Sequence, residues 1–79
     1  MVTIKEIQLV GDSIKAKCYQ EGMAHREFSL SLNTQTFEPE GDIIINSYVS
    51  HAIRKLKELF EEYSLQGKEL PKEAKVMWY

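Results

Sequence analysis

Cysteine is almost missing from this 79-residue chain. Cys18 is the only one, so no disulfide can close within the chain, and neither a CxxC pair nor a zinc-finger spacing can be written. That composition predicts a reducing, cytoplasmic setting. Proline and glycine are also scarce, two and four residues. No Pro/Ser/Gly-rich linker, internal repeat or low-complexity tract divides the chain, which predicts one small domain over residues 1–79.

A basic excess is absent as well. Ten Lys and Arg stand against twelve Asp and Glu, for a net charge of −2. This gives no electrostatic footprint for duplex nucleic acid or an anionic membrane surface. No apolar run approaches the roughly 18 residues of a membrane span. The opening Met-Val-Thr-Ile-Lys-Glu carries no apolar signal core, so a soluble protein with no membrane partner is expected.

What the chain does contain is one strongly periodic stretch. Between Asn46 and Gly67 the residues Val49, Ala52, Ile53, Leu56, Leu59, Phe60 and Tyr63 recur at spacings of three and four. They form one broad apolar stripe with charge opposite, the pattern of a helix lying on a core. Asn46 or Ser47 is placed to cap its start, and Gly67 to take the left-handed position after its end.

Before the helix the apolar period is two. Residues 2 to 10 and 13 to 20 read as strands joined at Gly11-Asp12, a two-residue hairpin turn. This sets Val10 opposite Ser13, Leu9 opposite Ile14 and Ile7 opposite Ala16, with the apolar residues on one face. Val2 and Ile4 lie on the other parity: either a bulge near Lys5-Glu6 repairs it, or the first residues belong to the other face and cover something there. A third strand is expected from about Ala24 to Leu32, joined by a three-residue loop, Glu21-Gly22-Met23. That loop places Ile14 by Leu30 and Ala16 by Phe28. On the opposite face Lys17 would then sit between Glu6 and Glu27, and Tyr19 beside His25.

Residues 33 to 42 are rich in turn formers, with Phe37 expected to tuck beneath as a satellite of the core. Ile43, Ile44 and Ile45 read either as a short buried strand or as an extended lead-in to the helix. After Leu70-Pro71 the chain ends in a strand-like segment. Ala74, Val76 and Trp78 are expected to face inward, and Met77 and Tyr79 to be partly exposed. The predicted fold class is α+β: an antiparallel three-stranded meander, one amphipathic helix packed on one face, and a C-terminal strand added to the sheet, beside either the first strand or the third.

Few residues suggest chemistry. A thiol–imidazole pair would need Cys18 exposed beside His25 or His51, but the alternation turns Cys18 inward and His25 outward, and His51 falls on the polar side of the helix. Glu38, Glu40 and Asp42 alternate around Gly41, yet a calcium loop needs further oxygen ligands where Ile43 to Ile45 stand. The serines occur in no nucleophile-elbow context, and no glycine loop could cradle phosphate. No enzyme activity, cofactor or metal site is predicted.

The helix and the Gly67-Lys68-Glu69-Leu70-Pro71 exit resemble the end of small HicB-like antitoxins, over less than a third of the chain and without that family's proline-glycine-cysteine turn. The resemblance implies action by binding another protein. A helix on one sheet face leaves the other face open, and in a domain this small that face or a free edge becomes a contact surface. The candidate surface is Lys15, Lys17, Tyr19, His25, Met77 and Tyr79, and the partner expected is another protein or a second copy of the chain. The alternative is RNA or single-stranded DNA on the open face. One aromatic, Tyr19, and the acids Glu6 and Glu27 argue against it, because stacking platforms use several aromatics in a basic surround.

Overall fold

A computed structural model describes residues 1–20 and 26–77. In chain order the elements are β1 (Val2–Val10), β2 (Ser13–Gln20), β3 (Glu27–Asn33), α1 (Ser47–Glu62), a single 3₁₀ turn (Ser64–Gln66) and β4 (Ala74–Val76). The sheet order is β3-β2-β1-β4, antiparallel throughout, so the C-terminal strand joins beside the first. The fold is α+β.

The first hairpin follows its turn. Gly11 has φ of 60° while Asp12 stays at negative φ, so the glycine occupies the first central position of a type II′ turn, whose twist matches the strands it joins. Val10 then pairs with Ser13 and Leu9 with Ile14. Further along, the register jumps from Gln8↔Lys15 to Lys5↔Lys17, so Glu6 and Ile7 together face the place of Ala16. This bulge brings Val2 and Ile4 onto the same face as Ile7, and all three are buried.

The bulge is made by a residue poorly suited to it. Glu6 adopts φ of 54°, a left-handed conformation that costs an L-residue about 1–2 kcal/mol. Glycine would occupy it without that cost, whereas a β-branched side chain would worsen the clash. Glu6→Gly should therefore leave stability within about 1 kcal/mol of the parent, while Glu6→Val should lower it by about 1–3 kcal/mol. Urea unfolding of the two variants checks the ordering.

The β2–β3 ladder departs from expectation by two residues. Ile14 pairs with Leu32, Ala16 with Leu30 and Cys18 with Phe28, rather than Ile14 with Leu30 and Ala16 with Phe28. Consequently Lys17 lies opposite Ser29, and it is Tyr19 that faces Glu27. The backbone N–H of Gln20 donates to the carbonyl of Arg26 at 3.2 Å, which continues the ladder one step beyond the Tyr19–Glu27 pair. A slip of two keeps every side chain on its face, which is why the apolar pattern did not distinguish the registers. The expected Glu21-Gly22-Met23 loop, the start of the third strand at Ala24, and His25 lie outside the described residues, as do Trp78 and Tyr79.

The helix starts where Asn46 Oδ1 accepts from the N–H of Val49 at 2.9 Å, satisfying one of the donors that a helix start leaves without partners. Val49, Ala52, Leu56 and Leu59 are buried against the sheet, with Ile53, Phe60 and Tyr63 half-buried at the flanks. Regular helix ends at Glu62, sooner than Gly67. The last turn tightens to 3₁₀, and Gly67, at φ of 74°, lets the N–H of Lys68 reach the carbonyl of Tyr63 at 2.8 Å. There is no acid in the first turn of α1 and no base in the last. The ion pair on its surface is Lys55–Glu58, 3.4 Å.

The connection from β3 to α1 folds back on the sheet. Asn33 Oδ1 accepts from the N–H groups of Gln35 and Thr36. Phe37 packs edge-on against Phe60, ring centroids 5.4 Å apart. Pro39 then bridges to Leu32, and the N–H of Glu40 donates to the carbonyl of Ser31 at 2.8 Å. Ile43 packs on the core, but Ile44 is 86% exposed and no strand forms. This resolves the two readings of Ile43 to Ile45 in favour of a lead-in.

A candidate interaction surface

The helix covers one sheet face, leaving the other to the odd-numbered positions of β2 and β3 and to their neighbours on β1. Lys15, Lys17 and Tyr19 project there from β2, between Lys5 and Gln8 of β1 and Ser29 and Ser31 of β3. Of the residues expected to make contacts, these three share one strand of the open face. Met77 is 63% exposed, but it follows β4 and borders a groove with His51, Arg54 and Lys75 at the helix side. His51 is half-buried there rather than standing free in solvent.

The open face is charged in both senses, and the charges engage one another. Lys17 Nζ lies 3.6 Å from a carboxylate oxygen of Glu6, which the bulge carries to the face. Lys5 Nζ sits 5.8 Å from the centre of the Tyr19 ring, within cation–π range. A shallow depression of about 430 Å³ is lined by Lys15, Lys17, Ser29 and Ser31, with Glu6 and Glu40 also in its wall.

Sequence reasoning weighed Glu40 only as a metal ligand and missed its role in the fold. Its carboxylate accepts from Ser13 Oγ at 2.5 Å and from Ser31 Oγ at 2.7 Å. These hydrogen bonds, Ser13 first, and the nearby Lys15 ammonium hold its pKa below the usual 4.5. A carboxylate kept ionised in this way is a weak base, so it is poorly matched to activating either serine. It acts as a latch that ties the β3–α1 connection to β2 and β3.

Because the folded pKa is depressed, the latch stabilises the protein above pH 4.5 and that contribution is lost as pH falls through the folded value. Glu40→Gln should accordingly exchange its own amide proton faster than Glu40 does at pH 7. The stability gap between parent and variant should close as pH is lowered below the folded pKa of Glu40, followed by thermal unfolding from pH 7 downward.

The chain matches no family model, no curated protein and no solved structure. The surface must therefore be read from its own chemistry.

Cys18 is a free thiol buried in the core, and burial pushes its pKa up to about 12. Among the described residues no group of three or more His, Cys, Asp or Glu side chains is placed to hold a metal ion. Glu38, Glu40 and Asp42 do not converge, since Glu40 is turned onto the serines. Among the described residues no helix is long and apolar enough to cross a membrane.

The larger apolar side chains left in solvent do not line the depression: Leu9 and Val10 beside the hairpin turn, Ile44 and Ile45 before the helix, Leu65 after it, and Met77. Parity assigns Leu9 to the core face, where its partner Ile14 is indeed fully buried, yet Leu9 itself is 46% exposed. The strand continues there past the elements that cover the sheet. The adjacent Leu-Val at the strand end was the available signal.

Proposed function

We propose that this chain is a small non-enzymatic protein-interaction module, a single α+β domain whose partner is another protein or a second copy of itself. The observation that carries the reading is the distribution of its surface. On the open face Lys17 pairs with Glu6 and Lys5 lies over Tyr19, while Leu9 and Val10 at the end of β1 and Met77 after β4 are left in solvent. Apolar groups exposed at strand ends and loops are contact material for another polypeptide. A cytoplasmic setting accords with the unpaired thiol of Cys18.

Binding of RNA or single-stranded DNA is the second reading, favoured by Lys5, Lys15 and Lys17 on the face that carries Tyr19. Against it, Lys5 already lies over that ring, and Glu6, Glu27 and Glu40 share the face.

Fluorescence anisotropy of a labelled single-stranded oligonucleotide, titrated with the protein at low and high salt, separates the two readings. The protein-interaction reading expects no saturable binding. Binding that weakens steeply with salt, as counterion release requires, would overturn it.

A further inference from the structure

The buried core skips one stretch of the chain. It runs through β1, β2 and β3 as far as Leu32 and resumes at Val49 in α1, so no residue from Asn33 to Tyr48 is fully buried. This stretch is held by contacts of another kind.

Residues 33–40 lie along the end of β3 as a strap. The N–H of Asn33 donates to the carbonyl of Glu38 at 3.2 Å and the N–H of Glu40 to the carbonyl of Ser31 at 2.8 Å, which closes the outer edge of β3 from Ser31 to Asn33. The N–H of Thr34 donates to the carbonyl of Asp12 at 2.9 Å, tying the strap to the β1–β2 turn. Two side chains then clasp it from opposite faces of the sheet. On the helix side the Phe37 ring meets Phe60, and on the open face the Glu40 carboxylate accepts from Ser13 and Ser31. Phe37 is half-buried and Glu40 exposed, so both clasps work at the surface.

The closed form carries a cost and has a loose end. Phe37 adopts φ of 57°, a left-handed conformation unfavourable to an L-residue, and opening would release it. Beyond Glu40, residues 41–45 make no backbone hydrogen bond to any described residue, and Gly41 turns at φ of 88°. The chain is next fixed at the Asn46 cap. Few buried apolar contacts and exposed backbone bonds mark a segment that opens at a lower free energy than global unfolding.

We propose that residues 34–40 open as one unit, hinged at Asn33 and Gly41, while the sheet and helix stay folded. In the closed form the outer edge of β3 has no partner among the described residues from Glu27 to Leu30, and the strap covers the rest. Opening frees the Ser31 carbonyl and the Asn33 N–H, so the unpaired edge lengthens to the whole strand. The strap thus sets how much pairing edge the domain presents, and its opening does not depend on the protein-interaction reading above.

Native-state hydrogen exchange across low urea concentrations, read by NMR as protection factors, tests the unit. The Asn33, Thr34 and Glu40 amides should share one protection factor, at least tenfold below those of Ala16 and Leu30 in the sheet centre, with little dependence on urea. Glu40→Ala should lower the three together by at least threefold. It should lower Ala16 and Leu30 by the same factor, because global unfolding also breaks the clasp. Arg54→Gly separates the two processes, since Arg54 is exposed in mid-helix beside Lys75 and Met77, away from the strap. It should lower protection of Ala16 and Leu30 about fivefold through lost helix propensity and leave the three strap amides unchanged. Strap amides that match Ala16 and Leu30 in protection, urea dependence and response to Arg54→Gly would overturn the proposal, because the strap would then open only with the whole fold. Three amides that respond unequally to Glu40→Ala would overturn it as well, by showing fraying instead of one unit.

Discussion

Replacing Leu56 with Ala should remove about 2–5 kcal/mol of stability, through lost burial and the cavity left behind. Leu56 is fully buried in the middle of the α1 stripe, over the sheet core of Ile4, Ile14 and Leu32. A chain of 79 residues has in total only about 4–12 kcal/mol, at 0.05–0.15 kcal/mol per residue. The variant should therefore unfold at a small fraction of the parent's urea midpoint, or lack a cooperative transition altogether. Leu65→Ala supplies the contrast, since Leu65 is 64% exposed on the 3₁₀ turn and its loss should stay within about 0.5 kcal/mol. Equal effects from the two would mean that the helix does not cover the sheet as described.

The second large effect concerns Cys18. With its pKa raised from 9.0 to about 12 by burial, the native thiolate fraction near pH 8 should be about a thousandfold below that of an unfolded chain, and thiolate is the reactive form. A disulfide-exchange reagent should leave the native protein essentially unmodified and react fully in denaturant. The same shift fixes the alkaline behaviour. The thiol stays protonated when folded but ionises near 9.0 when unfolded, so stability is undiminished below pH 9 and falls as pH rises toward about 12. Cys18→Ala should flatten that decline, at some cost in packing at neutral pH. Native-state labelling as fast as in denaturant would place Cys18 outside the core.

How much of this was legible in the sequence depends on what each pattern encodes. The hairpin at Gly11-Asp12 and the bulge at Glu6 could be read because a two-residue turn fixes register, and parity then exposes the extra residue. The stripe from Val49 to Tyr63 and its Asn46 cap were legible for the same local reason. The β2–β3 offset was not, because a slip of two keeps every side chain on its face and no apolar pattern detects it. The Glu40 latch was also hidden, since Ser13 lies 27 residues away and Ser31 nine, and only folding brings the hydroxyls together. Leu9 shows the remaining limit: alternation tells which face a side chain points to, not whether another element reaches far enough to cover it. That Lys15, Lys17 and Tyr19 share one face of β2 follows from alternation, but the Lys17–Glu6 pair and the Lys5–Tyr19 contact appear only in three dimensions.

The most direct test of the account is the molar mass of the intact chain in solution, by light scattering across a tenfold range of concentration and at two salt concentrations. Self-association predicts a mass that climbs from the 9.2 kDa of one chain toward twice that value and then levels off. A mass fixed at that of one chain under all of these conditions would contradict self-association, and together with salt-sensitive oligonucleotide binding it would contradict the protein-interaction account as a whole.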